Sequence, residues 1–127
     1  MKPELAYLPH PGDINKDHQI VFQSAMVALR PILAGSPRKV LAYETLSETG
    51  WLSPYPEHNF IPDVFVELGQ REVDTKIAAM KLYRHGIKES PHPRSEEGIL
   101  NLARTRGMSV SLDYAEAFSL VREIRRI

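Results

Sequence analysis

The residues best suited to chemistry lie in the stretch HPGDINKDHQ, His10 to Gln19, in front of a long apolar pattern. His18 falls in the first turn of a predicted helix, seven and eleven positions before Ala25 and Leu29 on the same side, and so points inward. The positive end of a helix dipole disfavours a protonated ring, and a metal-ligating histidine must be neutral. Two readings therefore stand side by side. His18 is either a metal ligand or a partly buried polar residue at the rim of a pocket. One histidine does not make a site, and His10, His58 and His92 all fall in predicted loops. Asp13 and Asp17, four apart, read most simply as turn and cap residues. With no cysteine in the chain, thiolate ligands and disulfides are excluded, and any ligand set must come from His, Asp and Glu. There is no HExxH, GxSxG or phosphate-cradling glycine loop.

The elements that must position these residues follow from patterning. The 127 residues suit a single domain, or part of one, and 43% are hydrophobic, enough for a core. The spacing predicts a short strand end within Lys2 to Leu8, a loop from His10 to Lys16, and a helix from His18 to Leu33 capped by Asp17. Only Gln19, Gln23 and Arg30 form a polar strip on that helix, so it is expected to be largely buried, with Pro31 kinking or closing it. Strands are predicted at Lys39 to Thr45 and Asp63 to Leu68, separated by a long loop, Ser47 to Pro62, which holds Trp51, Pro54, Pro56 and His58. A helix follows from Arg71 to Ile87, then a proline loop, Ser90 to Ser95. A further helix is capped by Ser95, carries Glu96 and Glu97 in its first turn, and is closed by Gly107. Tyr114 to Ile124 fits strand or helix, and the alternation of Phe118, Leu120 and Arg122 favours a strand. The order is that of an α/β protein.

Sixteen basic and sixteen acidic residues leave no net field to attract nucleic acid or an anionic membrane. Arg122, Arg125 and Arg126 read as a solvated end. No apolar run approaches the roughly 20 residues of a membrane span, and no secretory leader opens the chain, so a cytoplasmic location is expected.

HPGDINKDHQIV, with YETLSETGW at Tyr43 to Trp51, FIPDVFVEL, SPHPRS and RGMSVSLDYAEAF at Arg106 to Phe118, resembles the PIG-L or LmbE-like deacetylase family in order and over nearly the whole chain. The resemblance implies an incomplete Rossmann-like sheet with flanking helices. It also implies zinc-dependent removal of an acetyl group from an N-acetylated sugar or sugar conjugate. It makes His18 the zinc ligand at a helix start. Asn15 stands where many members carry a histidine that stabilises the oxyanion, and Asp17 matches the common Asp-His pair. Arg94, Tyr114 and Glu116 fall where the family builds its substrate pocket, and Trp51 could stack on a sugar ring. The sequence has no AHPDDE-type segment, which in the family supplies the other two zinc ligands and the general base. The expectation is therefore a partial domain, 1–127, inactive alone and prone to self-association, for instance as a homo-oligomer. The alternatives are a non-catalytic α/β remnant working through partner contacts and a sugar-binding module.

Overall fold

A computed structural model describes residues 3–32, 34–51 and 56–125. Lys2, Leu33, Pro54 and Arg126, which figure in the expectations above, lie outside these. The chain divides into two compact units, one made of residues 1–64 with 118–127 and the other of residues 65–117.

Four strands, β1 (Leu5–Pro9), β2 (Lys39–Tyr43), β3 (Val64–Leu68) and β4 (Tyr114–Glu123), form one sheet in the order β1-β2-β4-β3. β1 and β2 run parallel, Leu5 opposite Lys39 through Pro9 opposite Tyr43. Parallel neighbours need a long crossover, and helix α1 (Lys16–Ala28) lies within it. This strand-helix-strand unit is the Rossmann-like element expected from the sequence. β4 pairs antiparallel with β2, from Lys39 opposite Glu123 to Tyr43 opposite Phe118, with a bulge between Val40 and Leu41. The sheet is therefore mixed, and the fold class is α/β. Tyr114 to Ile124 resolves as a strand, as its alternation favours.

In the first unit the core is Leu8, Val40, Leu41, Ala42 and Phe118, with Val40 and Ala42 fully buried. β2 is enclosed because it has a partner on each edge. α1 corrects three expectations, its cap, its end and its burial. Its N-cap is Asn15, whose side-chain oxygen accepts from the Asp17 N–H at 2.9 Å, and Asp17 instead sits in the first turn, where its charge complements the dipole. The helix also ends at Ala28, before Pro31. No α1 residue is buried, and Ile20, Val21 and Val27 are at least half exposed. An apolar pattern shows which residues gain from being covered, and among the described residues nothing covers these. The last turn is nonetheless closed: the Leu29 carbonyl accepts from Ser36 Oγ at 2.8 Å and from an Arg122 terminal nitrogen at 2.7 Å.

In the second unit, α2 (Gln70–Lys81) and α3 (Glu96–Met108) pack together around Val73, Ile99 and Ala103. α2 is shorter than its sequence pattern suggests and ends well before Ile87. Ser95 caps α3 as expected, accepting from the Gly98 N–H at 3.0 Å. Gly107 lies inside the last turn rather than beyond it. A Cβ there would come within 2.7 Å of the Leu112 carbonyl and 2.8 Å of Tyr114, so the glycine is needed where the chain doubles back on the helix.

Among the described residues no helix is long and apolar enough to cross a membrane.

Candidate functional site

The loop His10 to Asn15 joins the carboxyl end of β1 to the start of α1. The His10 N–H donates to the Tyr43 carbonyl at 2.9 Å, which extends the β1–β2 ladder by one residue. In open α/β sheets the carboxyl ends of parallel strands are where ligands bind. The polar cluster of the first unit lies here.

At its centre is Asp13, which has no solvent exposure. Each of its polar atoms is engaged. Its N–H donates to the His10 carbonyl at 3.2 Å, and its own carbonyl accepts from Gln19 Nε2. One carboxylate oxygen accepts from the Thr49 hydroxyl and the other from His18 Nδ1, the latter at 2.6 Å. The Thr49 oxygen accepts in turn from the Thr45 N–H at 2.8 Å. A buried carboxylate is tolerated only when paired and hydrogen-bonded, and this one meets that condition.

His18 has 26% of its side chain exposed, so the inward direction expected of it is only partly realised. A carboxylate oxygen can only accept, so Nδ1 carries the proton shared with Asp13. Nε2 of the neutral ring is then a bare lone pair, and among the described residues no hydrogen bond engages it.

His10 is buried and fixed differently. Its Nε2 meets the His58 carbonyl at 3.0 Å, which assigns the ring proton to Nε2 and leaves Nδ1 buried with no hydrogen-bond partner among the described residues. The ring sits edge-on to Phe60, centroids 5.3 Å apart. Tyr43, at the end of β2, feels the same environment. Burial, and then the Asp13 carboxylate, raise its phenol above the ordinary value of 10.0. Ser47 is buried with a left-handed backbone (φ 66°) in the tight turn leading to Thr49.

The other residues singled out by sequence are distributed as follows. Asn15 and Asp17 flank the site at the start of α1. Trp51 ends a single 3₁₀ turn, Thr49–Trp51, with its side chain 58% exposed. Arg94, Tyr114 and Glu116 belong to the second unit. There the Tyr114 hydroxyl donates to Gln70 Oε1 at 2.8 Å, and the Arg104 guanidinium lies 5.8 Å from its ring centroid. Glu116 forms an ion pair with Lys76. Arg94 Nε is buried with no hydrogen-bond partner among the described residues.

Sequence reasoning passed over Asp13, Thr49 and Tyr43 as members of the site. Asp13 stands in a Pro-Gly turn, where aspartate is ordinary, and Thr49 lies 36 residues away. The one available signal was the separation of Asp13 from His18, five residues across a loop-to-helix junction.

Zinc, implied by the family resemblance, was tested against this donor set. His18 fits a ligand well, because a ligating histidine commonly donates its other ring N–H to a carboxylate. Among the described residues, however, no group of three His, Cys, Asp or Glu side chains is placed to hold a metal ion. The described residues thus fit one ligand position and not a complete site.

No protein-family model matches the chain. Over 78 residues, 61% of its length, the chain is 36% identical to the uncharacterized deacetylase YaiS of Escherichia coli (strain K12). That match covers 35% of the relative, so the chain spans about a third of the length of the curated protein it matches.

Proposed function

We propose that this chain is the His18-bearing portion of a zinc-dependent deacetylase of the PIG-L or LmbE-like kind, acting on an N-acetylated amino sugar or sugar conjugate. The observation that carries the reading is the state of His18. Its Nδ1 is committed to a buried carboxylate at 2.6 Å, and among the described residues the Nε2 lone pair is left unengaged at a helix start. The similarity to a protein named as a deacetylase supports the reaction class. The remaining ligands and the general base would be supplied from outside residues 1–127.

Zinc, when bound, lowers the pKa of a water molecule and polarises the carbonyl it attacks. The chain's own residues would do the rest. Asn15 spends its side-chain oxygen on the helix cap, which leaves its amide NH₂ to donate to the developing oxyanion. An amide cannot pass on a proton, so its part is electrostatic. Asp17 would steady the start of the helix that carries His18. Trp51, with its exposed ring, suits stacking on the apolar face of a sugar. Arg94, Tyr114 and Glu116 are assigned to substrate by the resemblance.

The test is acetate release from N-acetylglucosamine with zinc, by this chain alone and by the chain mixed with a polypeptide carrying an AHPDDE-type segment. Release that depends on the added segment and is lost in His18→Ala supports the proposal. No release in either mixture, or release indifferent to His18, overturns it.

A second reading, a non-catalytic α/β chain working through self-association or partner contacts, is favoured by one observation, the exposure of Ile20, Val21 and Val27 along α1. Concentration-dependent sedimentation that is abolished by polar residues at these positions, with no acetate released, would select it.

A further inference from the structure

We propose that Asp13, held in place by Thr49, is a positioning residue that sets the tautomer and direction of the His18 ring. The inference rests on the reading above only for the use to which Nε2 is put, and its geometry stands independently.

The direction of each hydrogen bond linking Thr45, Thr49, Asp13 and His18 can be assigned. The Thr45 N–H donates to Thr49 Oγ1, so the single hydroxyl proton of Thr49 is free to go to Asp13 Oδ1. Among the described residues Asp13 Oδ2 then has one hydrogen-bond partner, the Nδ1–H of His18 at 2.6 Å. Free neutral imidazole favours the tautomer protonated on Nε2. A carboxylate at Nδ1 reverses that preference and bares Nε2, whether Nε2 meets a metal or accepts a proton.

A carboxylate that only braced the loop would need no particular relation to the ring. Asp13 is already braced without it, by its own N–H to the His10 carbonyl and by Gln19 on its carbonyl. The two carboxylate oxygens are spent on Thr49 and His18. Thr49 belongs to the turn after β2 and His18 to the helix after β1, so the carboxylate couples the two parallel strands at their carboxyl ends. A carboxylate with no solvent exposure cannot swing away, and the ring it holds is fixed with it.

The experiment is nitrogen-15 NMR of the metal-free chain, with His18 assigned by comparison with His18→Ala, at about pH 8.5 where an ordinary imidazole is neutral. The expected result is a dominant Nδ1–H tautomer with a slowly exchanging ring proton. In Asp13→Ala the population should revert toward Nε2–H. Thr49→Val should speed exchange of the ring proton, and Thr49→Ser should restore it. If Asp13→Ala does not fold, the Val and Ser variants decide the matter. Zinc affinity in the chain completed with an AHPDDE-type segment should fall about 10- to 100-fold in Thr49→Val. A dominant Nε2–H tautomer in the wild type, an unchanged tautomer in folded Asp13→Ala, or identical exchange in the Val and Ser variants would overturn the proposal. Because the NMR readout needs neither metal nor substrate, its failure is separable from failure of the deacetylase reading.

Discussion

The His10 imidazole reaches across 48 residues of sequence to bond the main-chain carbonyl of His58 at 3.0 Å. Gly12 lies tight against both. A Cβ at this position would stand 2.4 Å from the His58 carbonyl oxygen and 2.7 Å from His10 Nε2. The loop that presents Asp13 is therefore clamped onto the single 3₁₀ turn Pro56–His58, and only a residue without a side chain leaves room for the clamp.

Gly12→Ala should then destabilise the protein by about 1–3 kcal/mol through overpacking against backbone. Urea unfolding would register this as a lower midpoint with an unchanged slope. A midpoint within error of the wild type would show that the loop is free to shift.

Asn15 offers a way to separate folding from chemistry. Aspartate caps a helix as well as asparagine does, so Asn15→Asp should leave stability within about 0.5 kcal/mol, whereas Asn15→Ala should lose about 1 kcal/mol. If the amide NH₂ serves an oxyanion, Asn15→Asp should still lower acetate release by about 10²- to 10³-fold. Equal activity in the two proteins, measured alongside thermal unfolding, would remove Asn15 from the reaction.

The contrast between enclosed and open apolar residues is equally measurable. Val40 is fully buried and Val73 is 1% exposed, and truncating either to alanine should cost about 2 kcal/mol by calorimetry. Ile20 and Val27 are 59% and 55% exposed, and changing them to threonine and glutamine should alter stability by no more than about 0.5 kcal/mol. A large loss at Ile20 or Val27 would mean that α1 is covered in solution.

That contrast also marks where sequence reading succeeds and where it stops. Periodicity located the long helices and distinguished β4 as a strand, because backbone geometry imposes the spacing of Phe118, Leu120 and Arg122. It located His18 at a helix start for the same reason. It could not show whether α1 would be covered, since covering depends on other chain segments. Nor could it distinguish the cap from its neighbour: Asn15 and Asp17 are both good cap formers, and only the loop path decides between them. Asp13 was misread most fully. Its role depends on Thr49, which a distant turn brings to it, and no local pattern records that meeting.

Tyr43 supplies a pH dependence. Its folded pKa lies above the ordinary 10.0, so the neutral phenol is favoured in the native state. The stability this contributes is fully present below about pH 10 and is lost as pH rises through the folded value. Wild-type stability should fall between about pH 9 and 11 more steeply than that of Tyr43→Phe, followed by urea unfolding at each pH. Phenolate absorbance should show one tyrosine titrating late. Parallel curves for the two proteins would contradict the burial of this phenol beside Asp13.

The strand order has a consequence for how the protein is made. β4 is the last strand in the sequence, yet it lies second from one end of the sheet, between β2 and β3. Its second half, from Phe118, belongs to the first unit and its first half to the second. Synthesis proceeds from the amino end, at about 5–20 residues per second. Until Phe118 to Glu123 emerge, one edge of β2 lacks its partner, and Val40 and Leu41 remain without the strand that pairs with them. The first unit cannot close as a contiguous piece of nascent chain, whereas the second, residues 65–117, is continuous in sequence. A nascent chain that stops just short of Phe118 would hold the whole of the second unit and a first unit in which one edge of β2 is still open.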